Sequence, residues 1–271
     1  MYQLLMAGFI AASLLGCAST VDLHELSRGT ALKPETLQTP KYTLQAMVPA
    51  SGAYKHLRVY IEGDGHAWAT SSQPSIDPTP RASLMASFAA ADRSPAAYLA
   101  RPCQFVMSRD CSVATWTSDR FSSDVMVSMN AGLDSIKRQF GVDEFELVGY
   151  SGGGAVALVL AGMRNDVNQV QTIAGNVDPV YWTALNKLTP LNNPVTPLQY
   201  KARLQTIPQR MFVGTNDKVM PPAVAREYAI HLDGQCIEIL VGEGDHQSGY
   251  RNVWLSTANQ PVVCRKNNVG G

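Results

Sequence analysis

From about residue 41 the chain alternates short apolar runs with longer stretches in which apolar residues recur every three or four positions. The runs at 42–48, 57–61, 96–100, 145–148, 170–174, 210–213 and 237–241 have strand length and are rich in the residues that buried strands favour. Between them, 122–140 places Val125, Met129, Leu133, Ile136 and Phe140 close to a 3.6-residue period, which predicts a helix with one apolar face. Shorter helical patterns fall at 155–163 and 223–232. Strands alternating with helices predict a mainly parallel sheet covered on both faces. Between 176 and 208 the pattern degrades into Pro, Asn and Thr around Tyr181 and Trp182. That stretch reads as a small cap in preference to a long loop.

The start of the chain follows other rules. Residues 1–17 are almost wholly apolar, too short to span a bilayer comfortably, and end in small residues before Cys17, the pattern of an export signal. Leu14-Leu15-Gly16-Cys17 resembles the bacterial lipobox. The resemblance implies a signal peptide over 1–16, a diacylglycerol on Cys17 that anchors the chain to a membrane, and, with Ala18 next, sorting to the outer membrane. An ordinary secretory signal cleaved near Ala18 is the alternative. The polar segment 17–40 shows no sustained period and reads as a flexible tether, leaving 41–271 as the folded domain.

Export changes the reading of the cysteines. With Cys17 lipidated, Cys103, Cys111, Cys236 and Cys264 remain, an even number in a compartment that permits disulfides. Of the three possible connectivities, nearness in sequence favours Cys103 with Cys111 and Cys236 with Cys264. Charge narrows the partners: 22 basic residues balance 22 acidic ones without a basic run, so the electrostatic footprint of a nucleic-acid binder is missing. A 45% hydrophobic composition is that of a globular domain and excludes disorder.

The chemistry gathers at Gly149-Tyr150-Ser151-Gly152-Gly153, a G-x-S-x-G pattern preceded by the strand-like 145–148 and followed by an apolar helix start. A serine on a sharp strand-to-helix turn needs neighbours without Cβ atoms where backbones approach closely. In this context the chain resembles the α/β-hydrolase family, over roughly residues 42–254. The resemblance implies Ser151 as nucleophile with its acid and histidine following in that order. Of five histidines, His246 stands in the loop after the run 237–241, where the family carries its general base. Phe212 to Pro222 resembles the family's segment bearing the acid, which implies Asp217, with Asp178 after the preceding strand as the rival.

The same resemblance implies an oxyanion hole made by the amide of Gly152 and a second amide after the third strand. There Glu62-Gly63-Asp64-Gly65-His66 stands where relatives carry His-Gly-Gly-Gly, so the Asp64 amide is the candidate. Its carboxylate is expected to turn away from a site where negative charge develops. Trp68, Tyr150 and Trp182 are candidates for the acyl pocket or for ordinary packing. Asp64-Gly65-His66 and Asp245-His246 do not have the spacing of a metal motif, and no cofactor is implied. The expected function is a serine hydrolase acting on a small-molecule ester or thioester, carboxylesterase-like. The alternatives are a peptidase or acyltransferase with the same triad, and a non-catalytic lipoprotein binding a partner on this scaffold.

Overall fold

The computed structural model describes residues 21–262 and residue 264; the expected signal peptide, Cys17 and the residues just after it lie outside them. The chain opens with α1 (Leu23–Ser27), β1 (Leu32–Gln38), β2 (Thr43–Pro49) and β3 (His56–Ile61). It continues through α2 (Leu84–Ala91), β4 (Ala96–Leu99), α3 (Val113–Trp116) and α4 (Ser123–Phe140) to β5 (Glu144–Tyr150), α5 (Gly152–Met163) and β6 (Val167–Ile173). The last third holds α6 (Pro179–Leu185), α7 (Lys201–Leu204), β7 (Gln209–Gly214), α8 (Pro222–Leu232), β8 (Ile237–Gly242) and α9 (Tyr250–Thr257). All eight strands form one sheet in the order β1-β2-β4-β3-β5-β6-β7-β8. From β4 to β8 every pairing is parallel, while β2 runs antiparallel to β1 and to β4.

Each face of the sheet has its own core. Alternation along β3 sends Leu57, Val59 and Ile61 to the face covered by α4, α5 and α8, where they meet Val125, Met129, Val156 and Val224. Tyr60 points the other way, toward Met85 and Phe88 of α2 and Tyr250 and Trp254 of α9. Burial on both faces is why β3 and β7 read as largely apolar runs, broken only by the buried Arg58 and by the buried Gln209 and Arg210, and not as alternating ones. Trp254 stacks on Phe88 at 5.9 Å and meets Tyr60 and Phe212 edge-on at 5.7 and 5.6 Å. Removing an aromatic from such a core costs about 3–5 kcal/mol, so α9 is held as a covering element.

One expectation fails. Most of the segment read as a tether is folded: Asp22 caps α1 by accepting from the amides of His24 and Glu25, and β1 pairs with β2 from Leu32–Pro49 to Gln38–Thr43. Leu23, Leu32 and Leu37 are buried. An edge strand with a single partner tolerates Pro34 and needs few apolar residues, so Leu-Lys-Pro-Glu-Thr-Leu-Gln carries no period to read. The stretch 176–208 resolves into α6, whose Trp182 donates from Nε1 to the carbonyl of Val219 at 2.7 Å, and a short 3-10 turn with α7 packed on α5. The cap is therefore one short helix. Cys103 is bonded to Cys111 and Cys236 to Cys264.

The topology fixes where a site can lie. The chain passes from β3 to β4 on one side and then to β5 on the other, so the loops leaving β3 and β5 diverge and leave a crevice at their carboxyl ends.

Candidate active site

Ser151 sits in that crevice, on the turn from β5 into α5, with φ 49° and ψ −123°. Backbone strain of this kind persists only where the surroundings impose it. Here the Ser151 amide donates to the carbonyl of Ile173 at 3.1 Å, and the Ser151 carbonyl accepts from the amides of Asn176 at 2.7 Å and Gly154 at 2.9 Å. The glycines have the mechanical role that the sequence pattern predicts. A Cβ on Gly153 would lie 2.5 Å from the Glu62 carbonyl oxygen and 2.6 Å from that of Ile61, and one on Gly149 would collide with the Gly153 backbone.

Three distant residues meet at this turn. His246, in the loop between β8 and α9, places Nε2 3.0 Å from the Ser151 hydroxyl oxygen and Nδ1 2.9 Å from Oδ2 of Asp217. With the proton on Nδ1, the imidazole donates to the carboxylate and presents a lone pair to the hydroxyl. Asp217 follows β7, its side chain buried, and Oδ1 accepts from the amides of Val219 at 2.9 Å and Met220 at 2.7 Å. Every lone pair that orients it is thus fixed by backbone or by His246. The rival acid is elsewhere in role: Asp178 caps α6 by accepting from the amide of Tyr181. Tyr150 donates from its hydroxyl to the His246 carbonyl at 2.8 Å, and its ring lies 5.4 Å from the imidazole. It holds the histidine loop, not an open pocket wall.

The loop after β3 lies beside the serine. A Cβ on Gly63 would stand 3.3 Å from the Cβ of Ser151 and 3.1 Å from the Tyr150 carbonyl oxygen. Glu62 is wholly buried; Oε1 accepts from the Gly63 amide at 2.9 Å, and Oε2 accepts from the hydroxyls of Ser83 and of Tyr98, the latter at 3.0 Å. Burial pushes its carboxyl above the usual carboxylate range, and those three donors pull the other way. From the far side, Gln104 donates from Nε2 to the Gly63 carbonyl at 2.9 Å, its own Oε1 accepting from the Arg101 amide at 3.0 Å. Among the described residues, the amides of Gly152 and Asp64 have no hydrogen-bond partner, so both are free to donate.

The Asp64 carboxylate corrects an expectation. It stands against the Cα of Gly152, where any Cβ would collide with it, instead of turning away. Arg101 holds Oδ1 through Nη1, and Arg120 Nε lies 3.3 Å from Oδ2. A carboxylate at the N-terminus of α5 is favoured by the helix dipole but would oppose a second negative charge there; the two guanidiniums offset it. Burial pulls the Arg101 guanidinium below its usual range, with Asp64 acting in the opposite direction. Neither arginine, nor Glu62 nor Gln104, is among the residues the sequence pattern singles out. Arg101 does stand directly after the buried strand 96–99, at the end of a parallel sheet where ligands gather, and that position is the one trace it leaves.

The remaining candidates separate. Trp182 faces the acid turn and lies 5.5 Å from the Arg120 guanidinium, whereas Trp68 is in an exposed loop bridged to Pro74. Among the described residues no group of three or more His, Cys, Asp or Glu is placed to hold a metal ion.

No protein-family model matches the chain, and no curated protein matches it by sequence. Solved structures match it by shape. An esterase of Pyrococcus furiosus superposes with a TM-score of 0.63 at 13% identity, over 89% of this chain and 92% of that one. A cold-adapted esterase from an Arctic intertidal metagenomic library gives 0.57 at 13% identity, over 85% and 92% of the two chains. An alpha-beta serine hydrolase homologue from Coxiella burnetii gives 0.52 at 15% identity, over 82% and 93%. The likeness is one of fold, and the fold is that of the α/β-hydrolases.

Proposed function

We propose that the chain is a serine hydrolase that cleaves a small-molecule ester or thioester through an acyl-enzyme on Ser151. The observation that carries this reading is the unbroken relay from the Ser151 hydroxyl through both nitrogens of His246 to the buried carboxylate of Asp217. As Ser151 Oγ bonds to the substrate carbonyl carbon, His246 Nε2 takes its proton, and Asp217 steadies the imidazolium. The carbonyl oxygen, now negative, accepts from the amides of Gly152 and Asp64, which have no other partner among the described residues. The tetrahedral centre collapses, His246 returns the proton to the leaving oxygen or sulfur, and water attacks the acyl-enzyme by the same route. The esterases that share the fold support a carboxylesterase-like preference.

A fluorophosphonate probe tests the nucleophile. The wild-type chain should be labelled on Ser151 and Ser151→Ala should not; an unlabelled wild-type protein would favour a binding role for this scaffold. A p-nitrophenyl ester series of increasing acyl length then tests the esterase preference, which fails if long chains react best. We further propose export and lipid attachment at Cys17, consistent with the two disulfides. Incorporation of a labelled fatty acid that Cys17→Ser abolishes is the expected result.

A further inference from the structure

Two peptide units meet at Gly63, and a different side chain fixes each of them. In the first, the Gly63 amide donates to Oε1 of Glu62 at 2.9 Å, while the Glu62 carbonyl faces Gly153, where a Cβ would lie 2.5 Å from its oxygen. In the second, the Gly63 carbonyl accepts from Gln104 Nε2 at 2.9 Å. A trans peptide is planar, so its C=O and its N–H point in opposite directions. By holding the Gly63 carbonyl, Gln104 therefore also sets the heading of the Asp64 amide, which points away from Gln104 and has no acceptor among the described residues. Little else determines that plane. Asp64 stands between Gly63 and Gly65, and glycines leave the backbone wide freedom of rotation. Half a turn of the plane would bring the Gly63 carbonyl, a negative dipole end, to the side on which the amide should meet a developing oxyanion.

Gln104 is presented on a strained backbone. It is 2% exposed, and the residues on either side of it both hold positive φ, Cys103 at 71° and Phe105 at 62°. A bulky aromatic in that region is a genuine outlier, and such strain collects where function imposes it. The loop opposite makes room for the side chain: Gly65 has φ 63°, and a Cβ there would stand 2.6 Å from Gln104 Nε2. The side-chain amide is oriented as well, because Oε1 accepts from the Arg101 amide at 3.0 Å and a flip would break both bonds. Building on the assignment of Ser151 as nucleophile, we propose that Gln104 is the positioning residue of the oxyanion hole, aiming the Asp64 amide by holding the opposite end of the same peptide. Its contribution is made where the negative charge develops, in the transition state, and not in holding the ester.

Two variants test this. Gln104→Glu keeps an acceptor for the Arg101 amide and replaces the donor to Gly63, whereas Gln104→Met has a similar length, no charge and neither bond. Each is compared with the wild type, at a temperature where melting curves show it folded, by kcat/KM on p-nitrophenyl butyrate and by inhibition with two ketones. Ser151 Oγ adds to the carbonyl carbon of a butyl trifluoromethyl ketone, His246 takes the proton and the ketone oxygen becomes the oxyanion; butyl methyl ketone binds and stays trigonal. Both variants should lose about 10- to 100-fold in kcat/KM, part of the cost of a whole oxyanion donor, and should bind the trifluoromethyl ketone more weakly by the same factor. Affinity for the methyl ketone should stay within about twofold, which a general loosening of the site would not spare. Gln104→Met decides alone where the charged variant does not fold. Equal losses for the two ketones, or an unchanged kcat/KM, overturn the role of Gln104 and leave the nucleophile standing. Absence of fluorophosphonate labelling at Ser151 in the wild type overturns the hydrolase reading, and this role with it.

Discussion

The two disulfides should rank in opposite orders for stability and for activity. By chain entropy, a bridge between cysteines 28 residues apart constrains the unfolded chain more than one between cysteines 8 apart. For these spans the expected contributions are about 3.6 kcal/mol for Cys236–Cys264 and about 2.6 kcal/mol for Cys103–Cys111. Position reverses the order for catalysis. Cys236 precedes β8, at the end of the sheet opposite His246, and Cys264 joins it there. Cys103 follows β4 at the catalytic end, between Arg101, which grips Asp64, and Gln104, which grips the Gly63 carbonyl. Cys103 itself holds φ 71°, a conformation an unbridged loop would relax. Complete loss of an oxyanion donor costs about 10²- to 10³-fold in kcat, and a loosened loop should cost part of that, about 10-fold or more. The assay is denaturant unfolding followed by tryptophan fluorescence, beside kcat on p-nitrophenyl butyrate at a temperature where all variants are folded. Cys103→Ala/Cys111→Ala should lose the smaller free energy and the larger share of kcat; Cys236→Ala/Cys264→Ala should do the converse. Wild-type kcat in the first variant, or equal losses of kcat in both, would refute the claim that this bridge holds the oxyanion loop.

Other outcomes follow from single contacts. Asp217→Asn should lower kcat about 10³- to 10⁴-fold by disturbing the His246 tautomer, while Asp178→Ala should cost only about 1 kcal/mol of stability from a lost helix cap, so the pair measured together identifies the acid. Tyr150→Phe removes the donor to the His246 carbonyl, a loss of about 1 kcal/mol that should appear in kcat more than in KM. Amides of Gln247 and Ser248 hold the Asp245 carboxyl below its usual 3.8. Since its folded value is depressed, the stabilisation is present above the unfolded value and is lost as pH falls through the folded one. Melting curves of Asp245→Asn and wild type should thus differ near neutral pH and converge in acid; a constant gap across that range would contradict the assignment.

What was legible in the sequence was whatever a local constraint had to write down. Strands covered on both faces are mostly apolar, which is why 57–61 and 210–213 stand out although each carries a buried, ion-paired arginine, Arg58 and Arg210, while β1, an edge strand with a proline, left no pattern. Two of the helices that escaped did so for related reasons. The alanine-rich α2 shows little contrast between faces, and α9 buries only Tyr250 and Trp254 among polar neighbours. Ser151 was legible because its strained turn forces glycine on its neighbours. Asp217 and His246 were legible by their order behind it, although nothing local reveals that 29 residues of separation close to 2.9 Å.

The buried charges were illegible for a different reason, and that reason bears on how the site works. A small neutral loop beside an oxyanion needs no compensation. Here that loop carries Glu62 and Asp64, and each acid is admissible only because something remote offsets it: Ser83 and Tyr98 for the first, Arg101 and Arg120 for the second. Asp64 and Arg101 lie 37 residues apart, and without the two guanidiniums the Asp64 carboxylate would be an uncompensated charge at the N-terminus of α5. Only the set makes sense, and a set is not written at any one of its positions.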